Sequence, residues 1–231
     1  MASHVYFDFF GTLVDYDPSI HPADYNAPYE FARRAGLPLS SERTDALWSR
    51  AWTELDDRAW ETGRECSMLE IATRYRELLG SPRVGEGEID RLIAEYLEVW
   101  TSDVRAADGA LGCLADLAED HRLAIVSNTH HIPLVPDLAK AFGMTGYVAD
   151  IVTSVEVGWR KPDPRIYTHV LDRHGITAAD AVFVGDNWTA DVEGPRRAGL
   201  AAFYVGAPAE GRVPVSLTEL PALIRELDRP E

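Results

Sequence analysis

An aspartate, Asp8, closes the apolar run His4-Val5-Tyr6-Phe7 and is followed by Phe9-Phe10-Gly11-Thr12-Leu13. A carboxylate at the end of a buried strand, next to a glycine-containing turn, projects its oxygens from a sheet edge into a site. Buried and unpaired it would cost several kcal/mol, so an aspartate so placed has a metal, a cation or a reaction to serve. Further along stand Ser127-Asn128, then Lys161, then Asp186 with Asp191: hydrogen-bonding side chains, a cation and two more acids. Of the 22 Lys+Arg residues only Lys140 and Lys161 are lysines, so chance is a poor account of one standing in this company. Phe10 is the odd member. Two residues past Asp8, where a second acid would assist proton transfer, the chain has a phenyl ring.

These residues need a frame. Short apolar runs at Leu123–Val126, Ile151–Ser154, Ala181–Val184 and Ala201–Val205 alternate with helical patterns at about Pro133–Phe142, Pro164–His174, Thr189–Ala198 and Leu217–Leu227. Near-continuous apolar strands between amphipathic helices predict a parallel sheet covered on both faces. Between the first strand and this alternation lie four amphipathic helical patterns without a strand: about Asp24–Ala35, Ser41–Thr62, Ser67–Leu79 and Glu88–Trp100. The expected architecture is α/β, a Rossmann-like parallel sheet core interrupted by an all-helical insert. The core comprises residues 1–14 and 105–231, and the insert residues 15–104. Ligands of such sheets gather at the carboxyl ends of the strands, which is where Asp8, Ser127-Asn128, Lys161 and Asp186 with Asp191 fall.

Composition narrows the partners. A net charge of -16 argues against nucleic acid, since a polyanion needs clustered cations. An anionic substrate must then find its positive charge locally, from a metal, a lysine or a helix N-terminus. No apolar stretch approaches the length of a membrane span. The first strand begins near His4, leaving no room for a leader peptide. Cys66 and Cys113 fall in different expected helices and fit neither a disulfide framework nor a metal spacing, so both read as buried, reduced thiols. The expected compartment is the cytoplasm. Asn187-Trp188-Thr189 matches a glycosylation acceptor by chance.

Taken in order, the clusters resemble the four motifs of the haloacid dehalogenase-like hydrolase superfamily: Asp8-Phe9-Phe10-Gly11-Thr12-Leu13, Ser127-Asn128, Gly158-Trp159-Arg160-Lys161-Pro162-Asp163-Pro164, and Gly185-Asp186-Asn187 followed by Asp191-Val192-Glu193-Gly194. The resemblance spans almost the whole chain, with the helical insert in the position of the family's cap. It implies that Asp8 is a nucleophile forming a covalent aspartyl intermediate. Thr12 would bond the nucleophile's surroundings. Ser127 and Asn128 would donate to substrate oxygens, and Lys161 would sit beside Asp8 and the transferring group. Asp186 resembles the acidic ligand of the magnesium-dependent members, with Asp8 and the Phe10 backbone carbonyl completing the Mg2+ set and Asp191 supporting the metal or Lys161.

The family resemblance admits more than one reaction. Its phosphatases usually carry a second aspartate at the position of Phe10, so a stand-in proton donor is sought among His130, His131, Asp15, Tyr16 and His21. Its 2-haloacid dehalogenases carry an aromatic residue there, but resemble one another in an arginine soon after the first motif, and Leu13 to Ala32 contains no Lys or Arg. They also work without a metal and usually lack an acid where Asp186 stands. The phosphonate-cleaving members require a cap lysine, and residues 15–104 contain none. The expectation is a Mg2+-dependent phosphatase acting on a small phosphorylated metabolite; the alternatives are a 2-haloacid dehalogenase and a catalytically weakened phospho-ligand-binding protein. Trp48, Trp52, Trp60, Tyr25 and Tyr29 would either line a substrate pocket or form the core of the cap.

Overall fold

The computed structural model describes residues 2–16 and 26–227. It divides into two compact units, Met1–Tyr16 with Arg105–Glu231, and Asp17–Val104. The chain starts with strand β1 (His4–Phe7) and a two-residue strand β2 (Val14–Asp15).

The second unit follows, with helices α1 (Ala27–Arg34), α2 (Ser41–Thr62), α3 (Met68–Leu78) and α4 (Glu88–Thr101). Their ends are set by short-range chemistry. Ser40 caps α2 by accepting from the Arg43 N–H, and Gly63, at φ 74°, ends it in the left-handed region that glycine adopts without strain. At the start of α3 the side chains of Ser67 and Glu70 satisfy each other's backbone N–H groups. The expected start of α1 near Asp24 lies outside the described residues; Asn26 caps the helix that is seen. Trp48, Ala51, Ile71, Tyr75 and Leu92 form the unit's own core, with Trp52 packed against it. Trp48 and Trp52 therefore face the helical core, Trp60 is exposed and Tyr29 half-buried, while Tyr25 lies outside the described residues.

In the first unit the chain continues through β3 (Arg105–Ala106), α5 (Ala110–Leu117), β4 (Arg122–Ser127), α6 (Leu134–Ala141), β5 (Val148–Thr153), α7 (Ser154–Val157), α8 (Pro164–His174), β6 (Ala181–Gly185), α9 (Gly194–Arg197), β7 (Ala201–Tyr204) and α10 (Leu220–Leu227). Five strands form a parallel sheet in the order β5-β4-β1-β6-β7. All four residues of β1 are buried, as a central strand covered on both faces requires. The chain leaves β1 to one side through β4 and to the other through β6, which makes the carboxyl end of β1 the crevice of the sheet. Phe7 pairs with Ile125 and Val184, so Asp8 emerges beside the ends of both neighbours.

Two features depart from the sequence reading. The antiparallel pair β2–β3 was not anticipated, because two-residue strands show no alternation. Within the expected helix Thr189–Ala198, residues Trp188–Glu193 form a π-helical turn and only Gly194–Arg197 is α-helical. Among the described residues no helix is long and apolar enough to cross a membrane. Cys66 and Cys113 are buried and form no disulfide.

Candidate active site

At the end of β1 the Asp8 N–H donates to the Val184 carbonyl at 2.8 Å, which fixes the backbone from which its carboxylate projects. The Lys161 ammonium donates to Asp8 Oδ1 at 2.6 Å and to Asp191 Oδ1 at 2.8 Å. Lys161 is 1% exposed. An ammonium so buried is strongly disfavoured unless compensated. Burial pulls the Lys161 pKa down, but the charges and hydrogen bonds of Asp191 and Asp8 outweigh it, and the net shift is upward. Lys161 is a fixed cation at neutral pH.

Asp191 owes its position to the π turn. The Asn187 side chain accepts from the Ala190 N–H at 3.0 Å, and the Asn187 N–H donates to Asp191 Oδ2 at 2.9 Å. Such turns recur at functional sites because the extra residue re-aims a side chain. A Cβ on Gly185 would collide with the Asp191 carboxylate, so the last residue of β6 has to be glycine. Burial pushes the Asp191 carboxyl up; Lys161 opposes the shift and Asp8 adds to it.

Asp186 completes the group. Thr12 donates to its Oδ1 at 3.4 Å, and Gly11, at φ 82°, lies so close that a Cβ would strike the Asp186 carboxylate. Burial and then the charge of Asp8 push the Asp186 carboxyl up to about 6, against the opposing pull of Lys161. One carboxylate oxygen from each of Asp8, Asp186 and Asp191 lies within 4.8 Å of the others. Three acids here share one ammonium, and burial together with the Asp8 charge leaves the Asp186 carboxyl raised. An all-oxygen donor set with surplus negative charge fits Mg2+, which takes one or two carboxylates with water and phosphate oxygens.

Ser127, 1% exposed, ends β4 with its hydroxyl 3.5 Å from the Asn128 carbonyl. Asn128 accepts from the Lys161 N–H at 2.8 Å and donates to the Lys161 carbonyl at 2.9 Å.

The model of the family described as haloacid dehalogenase-like hydrolase matches residues 3–199. This chain belongs to the haloacid dehalogenase-like hydrolases. A ribulose-1,5-bisphosphate 5-phosphatase of Halopiger xanaduensis is 30% identical over 87% of this chain and 83% of its own length. An N-acylneuraminate-9-phosphatase of Mus musculus is 26% identical over 81% and 80%, respectively. A shorter match, 34% identical, links 38% of the chain to 34% of the human haloacid dehalogenase-like hydrolase domain-containing protein 3. In fold, the crystal structure of a 2-haloacid dehalogenase from Pseudomonas syringae superposes with a TM-score of 0.75, at 23% identity over 98% of this chain and 100% of that one.

Within this haloacid dehalogenase-like hydrolase the Phe10 ring packs edge-on against Phe9 and Tyr16, at centroid distances of 5.1 and 5.7 Å. Of the stand-in donors considered above, Tyr16 lies near the acids: its phenol is pushed up by burial and by the charges of Asp186 and Asp8. Asp15 is exposed in β2, opposite Arg105. Burial pushes the His131 imidazole down, and its Nδ1 is buried without a hydrogen bond. His130 is half-buried and His21 lies outside the described residues. The expectation that the Asn128 amide turns to substrate oxygens meets a different arrangement, because its oxygen and a donor both face Lys161. Sequence reasoning gave no role to Ser154 or Asn187, although Asn187 stands before the π turn in the Asn position of a helix cap.

Proposed function

We propose that this hydrolase is a Mg2+-dependent phosphatase acting on a phosphate monoester of a small metabolite. The observation that carries the reading is the three-acid, one-ammonium group, in which the Lys161 ammonium bonds Asp8 and Asp191 and Asp186 is raised by burial and by the charge of Asp8. A divalent cation would balance the charge of the third acid. The two phosphatase-named relatives, aligned over four-fifths of the chain or more, support the same chemistry.

Asp8, Asp186 and the Phe10 carbonyl would hold Mg2+, which supplies charge neutralisation for the phosphoryl oxygens. A carboxylate oxygen of Asp8 attacks phosphorus, the bond from phosphorus to the ester oxygen breaks, and an aspartyl phosphate forms on Asp8. Lys161 holds Asp8 Oδ1 at 2.6 Å and offsets charge on the transferring group. Thr12 orients Asp186, and Ser127 donates to a phosphoryl oxygen. The leaving oxygen takes its proton from solvent, since Phe10 offers none; lack of a positioned donor costs about 10²–10⁴-fold in rate. Tyr16, with its raised pKa, remains protonated as a hydrogen-bond donor beside the site. Water then attacks phosphorus, releasing inorganic phosphate and restoring Asp8. We assign the helical unit the cap's role of choosing the substrate, and the cytoplasm as the compartment, where two cysteines outside any disulfide stay reduced.

The test is a phosphate-release screen over phosphorylated metabolites, with and without Mg2+, with chloride release from 2-haloacids followed in parallel. Phosphate release that EDTA abolishes is expected. Metal-independent chloride release from a 2-chloroacid would overturn the reading in favour of a dehalogenase. Tight binding of phosphate analogues with no turnover would make the protein a phospho-ligand binder.

A further inference from the structure

The side chain of Asn128 makes a closed pair of hydrogen bonds with the main chain of one residue, Lys161, at 2.8 Å to the N–H and 2.9 Å to the carbonyl. The amide thereby imitates a neighbouring strand, gripping a segment 33 residues away. The next residue is gripped in the same manner. The Thr129 N–H donates to Ser154 Oγ at 2.9 Å, and Ser154 Oγ approaches the Thr129 carbonyl at 3.2 Å. Two reciprocal clamps thus lace the loop after β4 to the segments that follow β5. Ser154, Thr129 and Lys161 are all buried, so these bonds are shielded from competition by water.

A lysine side chain is a point charge on a flexible four-carbon stem. Its ammonium can stay 2.6 Å from Asp8 and 2.8 Å from Asp191 only if its own backbone does not slide. The clamp from Asn128 supplies that fixity at the main chain of Lys161. We infer that Asn128 is a positioning residue, which sets the Lys161 ammonium against Asp8, and that Ser154 steadies it by holding Thr129. The catalytic consequence rests on the reading of Asp8 and Lys161 given above; the clamp itself does not.

The scarcity of lysines makes the inference measurable. Lys140, on the exposed surface, and Lys161 are the chain's lysines, so acylation by a small amine-directed reagent, read by mass spectrometry, has one probe and one internal reference. The wild-type protein should label at Lys140 and spare Lys161. Asn128→Ala should raise labelling of Lys161 relative to Lys140 about tenfold or more while the protein still melts cooperatively. Asn128→Asp, which keeps the acceptor and loses the donor, should fall between, and Ser154→Ala should give a smaller rise. With a turned-over phosphate ester, Asn128→Ala should lower kcat about tenfold and leave KM and the inhibition constant of inorganic phosphate within about threefold. Protection of Lys161 in both Asn128 variants, or a parallel rise in KM and in the phosphate inhibition constant, would overturn the inference and return Asn128 to substrate binding. If Asn128→Ala does not fold, Asn128→Asp carries the same comparison. Labelling needs no turnover, so a failed phosphatase screen would sink the functional reading and leave this one to be decided separately.

Discussion

Lys161 Nζ lies 2.6 Å from Asp8 Oδ1, joining residues 153 positions apart in the chain. The cluster around the pair is not neutral, because Asp191 takes a second hydrogen bond from the same ammonium and Asp186 stands close by without one. Removing the cation and removing one of the acids should therefore have opposite effects on the fold.

Lys161→Met should destabilise the metal-free protein by about 3 kcal/mol, because it leaves buried carboxylates without a partner. Asp8→Asn keeps an acceptor for Lys161 and sheds one negative charge, so its stability should match or exceed that of the wild type. Both should lose turnover, Asp8→Asn by about 10³-fold or more. Urea melts in EDTA, set beside phosphate-release assays, check the contrast.

Asp186 gives a pH dependence with a definite sign. Its carboxyl is raised from 3.8 to about 6 in the folded state, so the folded chain binds a proton more tightly than the unfolded one. The destabilisation is absent below pH 4, grows as pH rises and is complete above about pH 6, reaching about 2–3 kcal/mol. In EDTA, Asp186→Asn should thus be more stable than the wild type above pH 6, and the two should converge near pH 4. Thermal melts across this range read the difference directly. Added Mg2+ should stabilise the wild type above pH 6 and lose its effect as Asp186 protonates below it.

Gly11 can be tested sterically. At φ 82° and in contact range of the Asp186 carboxylate, it leaves no room for a methyl group. Gly11→Ala should cost about 1–3 kcal/mol in stability. It should also weaken the Mg2+ dependence of turnover, because it displaces Asp186. Titration of activity against Mg2+ separates this from a simple loss of stability.

Phe10→Asp should restore the missing acid. For esters with poor leaving groups kcat should rise, by up to about 10²-fold. For an aryl phosphate, whose leaving group needs no proton, little gain is expected. Loss of the ring packed edge-on against Phe9 and Tyr16 should lower the melting temperature slightly. Rates on an alkyl and an aryl phosphate, measured side by side, decide the matter.

Much of the scaffold was legible in the sequence because it is specified locally. The bounds Ser41–Thr62 and Pro164–His174 follow from Ser40 and Gly63 at one helix, and from Asp163, Pro164 and Gly175 at the other. The parallel strands showed themselves as apolar runs, since both of their faces are covered. The gathering of Asp8, Lys161, Asp186 and Asp191 followed from strand ends once the sheet was parallel. What stayed hidden depends on partners distant in the chain. The direction of the Asn128 amide is set by the backbone of Lys161, and the role of Ser154 by that of Thr129. The π turn at Trp188–Glu193 has the composition of an ordinary helix; its extra residue is imposed by the packing of Asp191 against Gly185.

The strand order has a consequence for biosynthesis. β1 precedes the other strands of its sheet and is buried throughout, yet its partners β4 and β6 begin at Arg122 and Ala181. During vectorial synthesis the central strand must therefore wait, with both hydrogen-bonding edges bare, while the whole helical unit is made. The helical unit, a compact unit over Asp17–Val104, is free to fold in the interval. The waiting strand is short and is followed at once by Asp8, and a charge at that point interrupts what would otherwise be an uninterrupted sticky segment from His4 to Phe10. The same carboxylate that stands in the finished site thus also places a charge beside the strand while it waits.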